Sequence, residues 1–205
     1  MAHEALMTSG QSFSVTLNVW FWRQLATWST LLKRDAMALE YWQRILAVRP
    51  SDAAVMGTVA HLLAQRGQRE EAIALLRRAL EIHSDSANSW FNLGFMLQEQ
   101  DHHSEALSCF DRVLNLDEKH DRAFYGRGLS LVKLGRLEEA VAAFKKNTVL
   151  QPLSPYGFYQ LAHVYHRLGQ VEQVQRTIRQ LFGFEPKVAR QLQRETGVDA
   201  GLPPP

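Results

Sequence analysis

Five segments of the chain repeat one pattern every 34 residues, with no insertion between copies. The first is VWFWRQLATWSTLLKRDAMALEYWQRILAVRP from Val19, and the others begin at Ala53, Ala87, Asp121 and Pro155. A period of about 20–50 residues marks an architecture in which each unit is one supersecondary element that buries its apolar face only against its neighbours.

Within the unit, large and small residues alternate in register. The fourth position holds Trp22, Met56, Trp90, Phe124 and Phe158, and the eighth holds Ala26, Ala60, Gly94, Gly128 and Ala162. The twentieth holds Ala38, Ala72, Ala106, Ala140 and Val174, and the twenty-fourth holds Trp42, Leu76, Phe110, Phe144 and Ile178. Small residues at eight and twenty let two helices approach closely, while the large ones fill the space beside them. This pattern places Trp90, Leu93, Ala106 and Phe110 in the core. Asn18, Asp52, Ser86 and Ser154 precede four units as N-cap candidates, and Pro155 falls at a first helical position. Gly67, Gly135 and Gly169 occupy the fifteenth position, where a left-handed residue ends the first helix. Each unit therefore reads as two antiparallel helices of about 14 residues, roughly 21 Å long.

The stretch WFNLGFMLQEQDHHSEALSCFDRVL and its equivalents resemble the tetratricopeptide repeat, over Val19 to Pro186. The resemblance implies an all-α protein: a right-handed α-solenoid of five tandem helix-turn-helix repeats plus a C-terminal capping helix. The expected boundaries are a leader over 1–18, repeats over 19–52, 53–86, 87–120, 121–154 and 155–186, a capping helix over 187–196 and a flexible proline-rich tail over 197–205. Three residues depart from the pattern: Arg127 stands where the third repeat has Leu93, Asn147 replaces a small apolar residue, and Val174 replaces alanine. A buried Asn147 must find a hydrogen-bond partner.

Composition narrows the function. Lys and Arg together exceed Asp and Glu by only two in 205 residues, and no like-charge block is present, so a nucleic-acid partner is not expected. The single cysteine, Cys109, excludes an internal disulfide, and the first residues lack a basic segment followed by an apolar run. A cytoplasmic protein is expected. Val15 to Leu32 is the most apolar long run, yet Asn18, Arg23, Gln24 and Thr27 interrupt it, which argues against a membrane span.

No set of reactive groups converges in the pattern, so catalysis, a metal and a cofactor are not expected. His102 and His103 are adjacent on a turn, His163 and His166 lack a third ligand nearby, and Cys109 reads as a partly buried thiol. Glu70, Glu71, Glu138 and Glu139 begin second helices, where they favour the helix dipole.

In the family that the repeats resemble, positions two, five, six, nine, twelve and thirteen line a concave face. Here positions five and nine form an aromatic and aliphatic ladder that includes Phe91, Phe95, Tyr125, Leu129, Tyr159 and His163, flanked by Asn92, Gln98, Arg122, Gln160, His166 and Arg167. Apolar anchors with a few placed polar groups suit a protein or peptide segment. The clamp that some family members use for a C-terminal carboxylate is matched at only two of five positions, by Asn92 and Arg122 but not by Gly57, His61 or Gly126. The expected function is a noncatalytic scaffold or adaptor; the alternatives are an assembly factor or subunit of a membrane complex and a secretion-type chaperone. Trp20, Phe21 and Trp28 fall outside the core positions and read as an N-terminal docking surface for a second copy, a membrane protein complex or the membrane periphery. The competing explanation is that Phe13, Val15 and Leu17 fold back over them.

Overall fold

A computed structural model describes the backbone of residues 2–203 and the side chains of residues 16–203. Its regular structure is eleven helices, with no strand among the described residues: α1 (Ala2–Leu31), α2 (Asp35–Val48), α3 (Ala53–Gln65), α4 (Arg69–Ile82), α5 (Ala87–Glu99), α6 (His103–Leu116), α7 (Asp121–Lys133), α8 (Leu137–Leu150), α9 (Pro155–Arg167), α10 (Val171–Phe182) and α11 (Pro186–Thr196). Each 34-residue unit holds one helix pair, as the repeat requires. First helices from α3 to α9 all have 13 residues and second helices from α2 to α8 all have 14. α1 is the exception. It runs 30 residues, so Asn18 lies inside a helix and caps nothing.

The chain forms two compact units, Met1–Leu93 and Gly94–Pro205. In the first, Ala26, Ala38, Ala60 and Ala72 have no exposed surface, and Ile45, Met56 and Leu76 fill the space beside them. In the second, Ala106, Ala140, Ala162 and Val174 are equally enclosed around Phe110, Phe144, Ile178 and Leu181. Val174 thus takes the place of alanine without losing burial. Trp90 departs from expectation: it is half-buried, because its indole Nε1–H reaches out to donate to the Ser84 carbonyl at 2.8 Å.

Two glycines explain the aromatic packing of the second unit. A Cβ on Gly126 would lie 2.5 Å from the Phe110 ring, and one on Gly128 would lie 2.6 Å from the Phe144 ring. Both rings therefore rest on bare helix backbone. The departures from the repeat are accommodated locally. Arg127 Nε donates to Asp111 Oδ1 at 2.7 Å, and buried Asn147 donates from Nδ2 to the Asp121 carbonyl at 2.9 Å. The Asn147 carboxamide fills the space a side chain would need at Gly157.

The turns follow one rule. Gly67, Gly135 and Gly169 have φ of 80°, 75° and 70°, and the same position in the first and third repeats is held left-handed by Lys33 (54°) and Asp101 (60°). The caps are more varied than the sequence suggests. Asp52 accepts from the Val55 amide at 3.1 Å and Ser86 from the Ser89 amide at 3.2 Å, whereas Ser154 makes no such bond. His120 caps α7 instead, with Nδ1 accepting from the Ala123 amide at 3.1 Å.

α11 covers the last pair through fully buried Ala189 and Leu192. The residues after it, where a flexible tail is expected, pack against the array as far as Ala200. Val198 and Ala200 are buried, Gln175 Nε2 donates to the Asp199 carbonyl at 2.8 Å, and the Ala200 amide donates to Gln193 Oε1 at 3.0 Å. Pro204 and Pro205 lie outside the described residues. Among the described residues no helix is long and apolar enough to cross a membrane.

Two stability changes follow. Lys33→Gly should stabilise by about 1 kcal/mol, the cost of a left-handed residue carrying a Cβ, as read by urea denaturation. Gly126→Ala should destabilise by about 1–3 kcal/mol, because the Phe110 ring must move out of a filled core; an unchanged midpoint would show that the ring has room to shift.

Candidate binding surfaces

The ladder residues of the second unit lie on α5, α7 and α9, and their surroundings divide them into anchors and supports. Phe95 is 50% exposed, large and apolar, and is held on α5 by buried Met96 and Leu97 beside it. Tyr125 is half-buried, edge-on to Phe144 with ring centroids 5.8 Å apart, and burial raises its phenol pKa above the ordinary value against an opposing hydrogen bond with Gln160. Leu129 is partly buried against the same core. Arg122 lies exposed one turn before these residues. Gln98 turns out to be structural, since its Nε2 donates to the Gly126 carbonyl at 2.9 Å and to buried Ser130 Oγ at 2.7 Å.

Tyr159 and His163 meet a partner that the repeat register does not reveal. Glu195, near the end of α11, accepts from the Tyr159 hydroxyl at 2.6 Å, and its Oε2 lies 3.2 Å from His163 Nε2. Gln191 Nε2 donates to its other oxygen at 2.8 Å, and the Tyr159 and His163 rings sit edge to face at 4.6 Å. The Tyr159 hydrogen bond, followed by that from Gln191, holds the Glu195 carboxyl below its ordinary pKa, while the same carboxylate raises that of Tyr159. A capping helix over 187–196 is expected from the sequence, but only the fold shows where this carboxylate lands.

The first unit offers a different surface. A cleft of about 510 Å³ is lined by Gly57, Thr58 and His61 of α3 and by Asn88, Ser89 and Asn92 of α5. Its depth comes from small residues on α3, since Ala54 and Gly57 stand where the second unit carries Arg122 and Tyr125. Asn92, half-buried, belongs to this cleft; Phe91, also half-buried, is its chain neighbour. His61 Nε2 is 3.1 Å from Gln65 Nε2. Two of the three mismatches to the carboxylate clamp now have causes: Gly57 opens the cleft and Gly126 accommodates Phe110.

On α1, Trp20, Phe21 and Trp28 are 60%, 54% and 62% exposed. Leu17 is itself exposed and does not cover them, while the side chains of Phe13 and Val15 lie outside the described residues. Among the described residues no three His, Cys, Asp or Glu side chains converge as a metal site would need.

Two family models match, one for the tetratricopeptide repeat over residues 51–119 and one for the TPR repeat over residues 128–169. No curated protein matches the chain in sequence. Solved structures resemble it in fold. A MamA fragment from Desulfovibrio magneticus RS-1 is 17% identical with a TM-score of 0.74, over 87% of this chain and 96% of that one. YrrB, described as a TPR protein with an unusual peptide-binding site, is 19% identical with a TM-score of 0.75, over 84% and 90%. A tetratricopeptide repeat protein from Parabacteroides merdae is 17% identical with a TM-score of 0.78, over 88% and 72%.

The Glu195 contacts set a pH dependence. A carboxyl whose folded pKa is depressed stabilises the fold above its unfolded value near 4.5, and that contribution is lost as pH falls through the lower folded value. Glu195→Gln should remove this acid-side loss and return the Tyr159 phenol towards its ordinary pKa of 10.0, as followed by ultraviolet difference titration. An unmoved tyrosine titration would show that the hydrogen bond does not form in solution.

Proposed function

The chain belongs to the tetratricopeptide-repeat family, and from that premise we propose that it is a noncatalytic adaptor, cytoplasmic, which binds a segment of a partner protein on the first-helix face of its second unit. The observation that carries this is Phe95: a half-exposed aromatic at a position where a solvated helix needs none, with Tyr125, Leu129, Arg122 and Gln160 nearby in the repeat register. Apolar anchors bordered by groups that satisfy a backbone are what an extended or helical segment requires. Tyr159 and His163 contribute less, because Glu195 already engages their polar atoms. The cleft of the first unit, rich in neutral donors and acceptors, suits small side chains and backbone amides of a bound segment.

A second surface supports a role in assembly. The exposed Trp20, Phe21 and Trp28 lie together on the first helix pair, where a solvated helix face would carry polar side chains. We infer that this aromatic face docks another surface.

Purification of the tagged full chain from its native source, with identification of the co-purified protein, supplies the partner for calorimetry. Phe95→Ala with Tyr125→Ala should then weaken binding at least tenfold, about 1.4 kcal/mol, with the helical circular dichroism unchanged. Unaltered affinity in the folded double variant would place the binding surface elsewhere.

A further inference from the structure

We propose that the exposed face of α1 pairs, antiparallel, with the same face of a second copy of this chain. This deepens the docking role given above to α1 and rests on it. The seam is written in both sequence and exposure. Leu17, Phe21, Gln24, Trp28 and Leu31 follow one another at intervals of four, three, four and three residues, the spacing of a helix–helix seam. With Trp20 and Leu32 beside them, all seven fall within about 120° of arc at 100° per residue. All seven are exposed, whereas Val19, Ala26 and Ser29 of the same helix are buried on the opposite side.

The occupant follows from charge and area. No Asp, Glu, Lys or Arg stands at any of the seven positions, so a symmetric partner brings no like charge opposite another and buries no unpaired ion. The polar member, Gln24, sits at the middle of the seam, and its carboxamide both donates and accepts, which lets it bond to its own copy across a twofold axis. Antiparallel pairing about Gln24 sets Leu17 opposite Leu31 and Phe21 opposite Trp28, so the largest ring meets a smaller one, and it opposes the two helix dipoles. A parallel pair would force Trp28 onto Trp28. The six apolar side chains are 54–68% exposed; at that exposure they offer roughly 700 Å² per copy, close to the ~800 Å² per partner of a standard interface. A lipid surface fits less well. Arg23, the one Lys or Arg between Leu17 and Leu32, points away from the stripe, with Nη2 3.5 Å from the Asp52 carboxylate just before α3.

The full chain should show a concentration-dependent shift from monomer to dimer in sedimentation velocity over roughly 1–100 µM, where an interface of this size and modest quality dissociates. Gln24→Glu places two carboxylates against each other at the axis and should raise the dissociation constant at least tenfold, with unchanged helix content. With Cys109→Ser as background, Leu17→Cys mixed with Leu31→Cys should form a crosslinked heterodimer under mild oxidation, while each alone should not. A monomer at every concentration, a dimer indifferent to Gln24→Glu, or a monomer that co-sediments with phosphatidylcholine vesicles would overturn the proposal. Failure of the underlying docking role looks different: Trp20→Ser with Trp28→Ser would lower the melting temperature of the monomer and change neither association nor sedimentation, marking the aromatics as an internal cap.

Discussion

The packing of an aromatic ring onto glycine backbone is the constraint from which the second unit is built. Phe110 projects from α6 and finds Gly94 on the first helix of its own repeat, where a Cβ would come within 3.1 Å of the ring, and Gly126 on the next, where it would come within 2.5 Å. One side chain thus sets two helix separations. Phe144 repeats the arrangement against Gly128. A well-packed interior is dense enough that such a seat admits no extra methyl without displacement, so the small residue at the eighth position and the large one at the twenty-fourth are one choice made at two sites. Where the ring is replaced by Leu76 or Ile178, alanine returns at the eighth position as Ala60 or Ala162, and both remain fully buried.

A constant period requires constant turns as well as constant packing. All five repeats place their fifteenth residue in the left-handed region, including the two that lack glycine there. In an L residue this conformation is opposed by its own Cβ, so at Lys33 and Asp101 the helix pairs impose the turn against local preference. Length follows from this geometry: the first helix stops after 13 residues in every repeat from the second to the fifth.

Much of this was legible in the sequence because a repeat is a controlled comparison. A residue seen once is ambiguous, but alanine, alanine, alanine, alanine and valine at one register position identify an enclosed site, and all five are wholly buried. Less was legible where a residue acts outside the register. Trp90 carries a polar edge that seeks the Ser84 carbonyl, which draws it partly to the surface. His120 caps α7 although its position in the other repeats holds Asn, Asp or Ser, because an unprotonated imidazole nitrogen accepts a backbone hydrogen bond as well as a hydroxyl does. Gln98 looked like a ligand-facing amide until its bonds to Gly126 and Ser130 assigned it to structure. Glu195 was hidden for another reason: it belongs to α11, which follows no repeat, so its meeting with Tyr159 and His163 depends wholly on tertiary placement.

The first and last helices show two solutions to one physical problem. Any stacked helix pair leaves an uncovered side at the first and last units, and apolar surface there must be removed or used. After the fifth pair the chain removes it: α11 lays down Ala189 and Leu192, Val198 and Ala200 extend the cover, and Glu195 ties the outer helix to α9 through its contacts with Tyr159 and His163. At the first pair the chain does the reverse. Val19 and Ala26 are consumed by packing while Trp20, Phe21 and Trp28 remain open on a helix whose charge has been directed elsewhere, Arg23 towards Asp52. Side chains of that size left in water oppose solubility with no gain in folding. Their placement on one uncharged stripe, opposite the buried Val19 and Ala26, separates the demands of folding from those of association along a single α-helix.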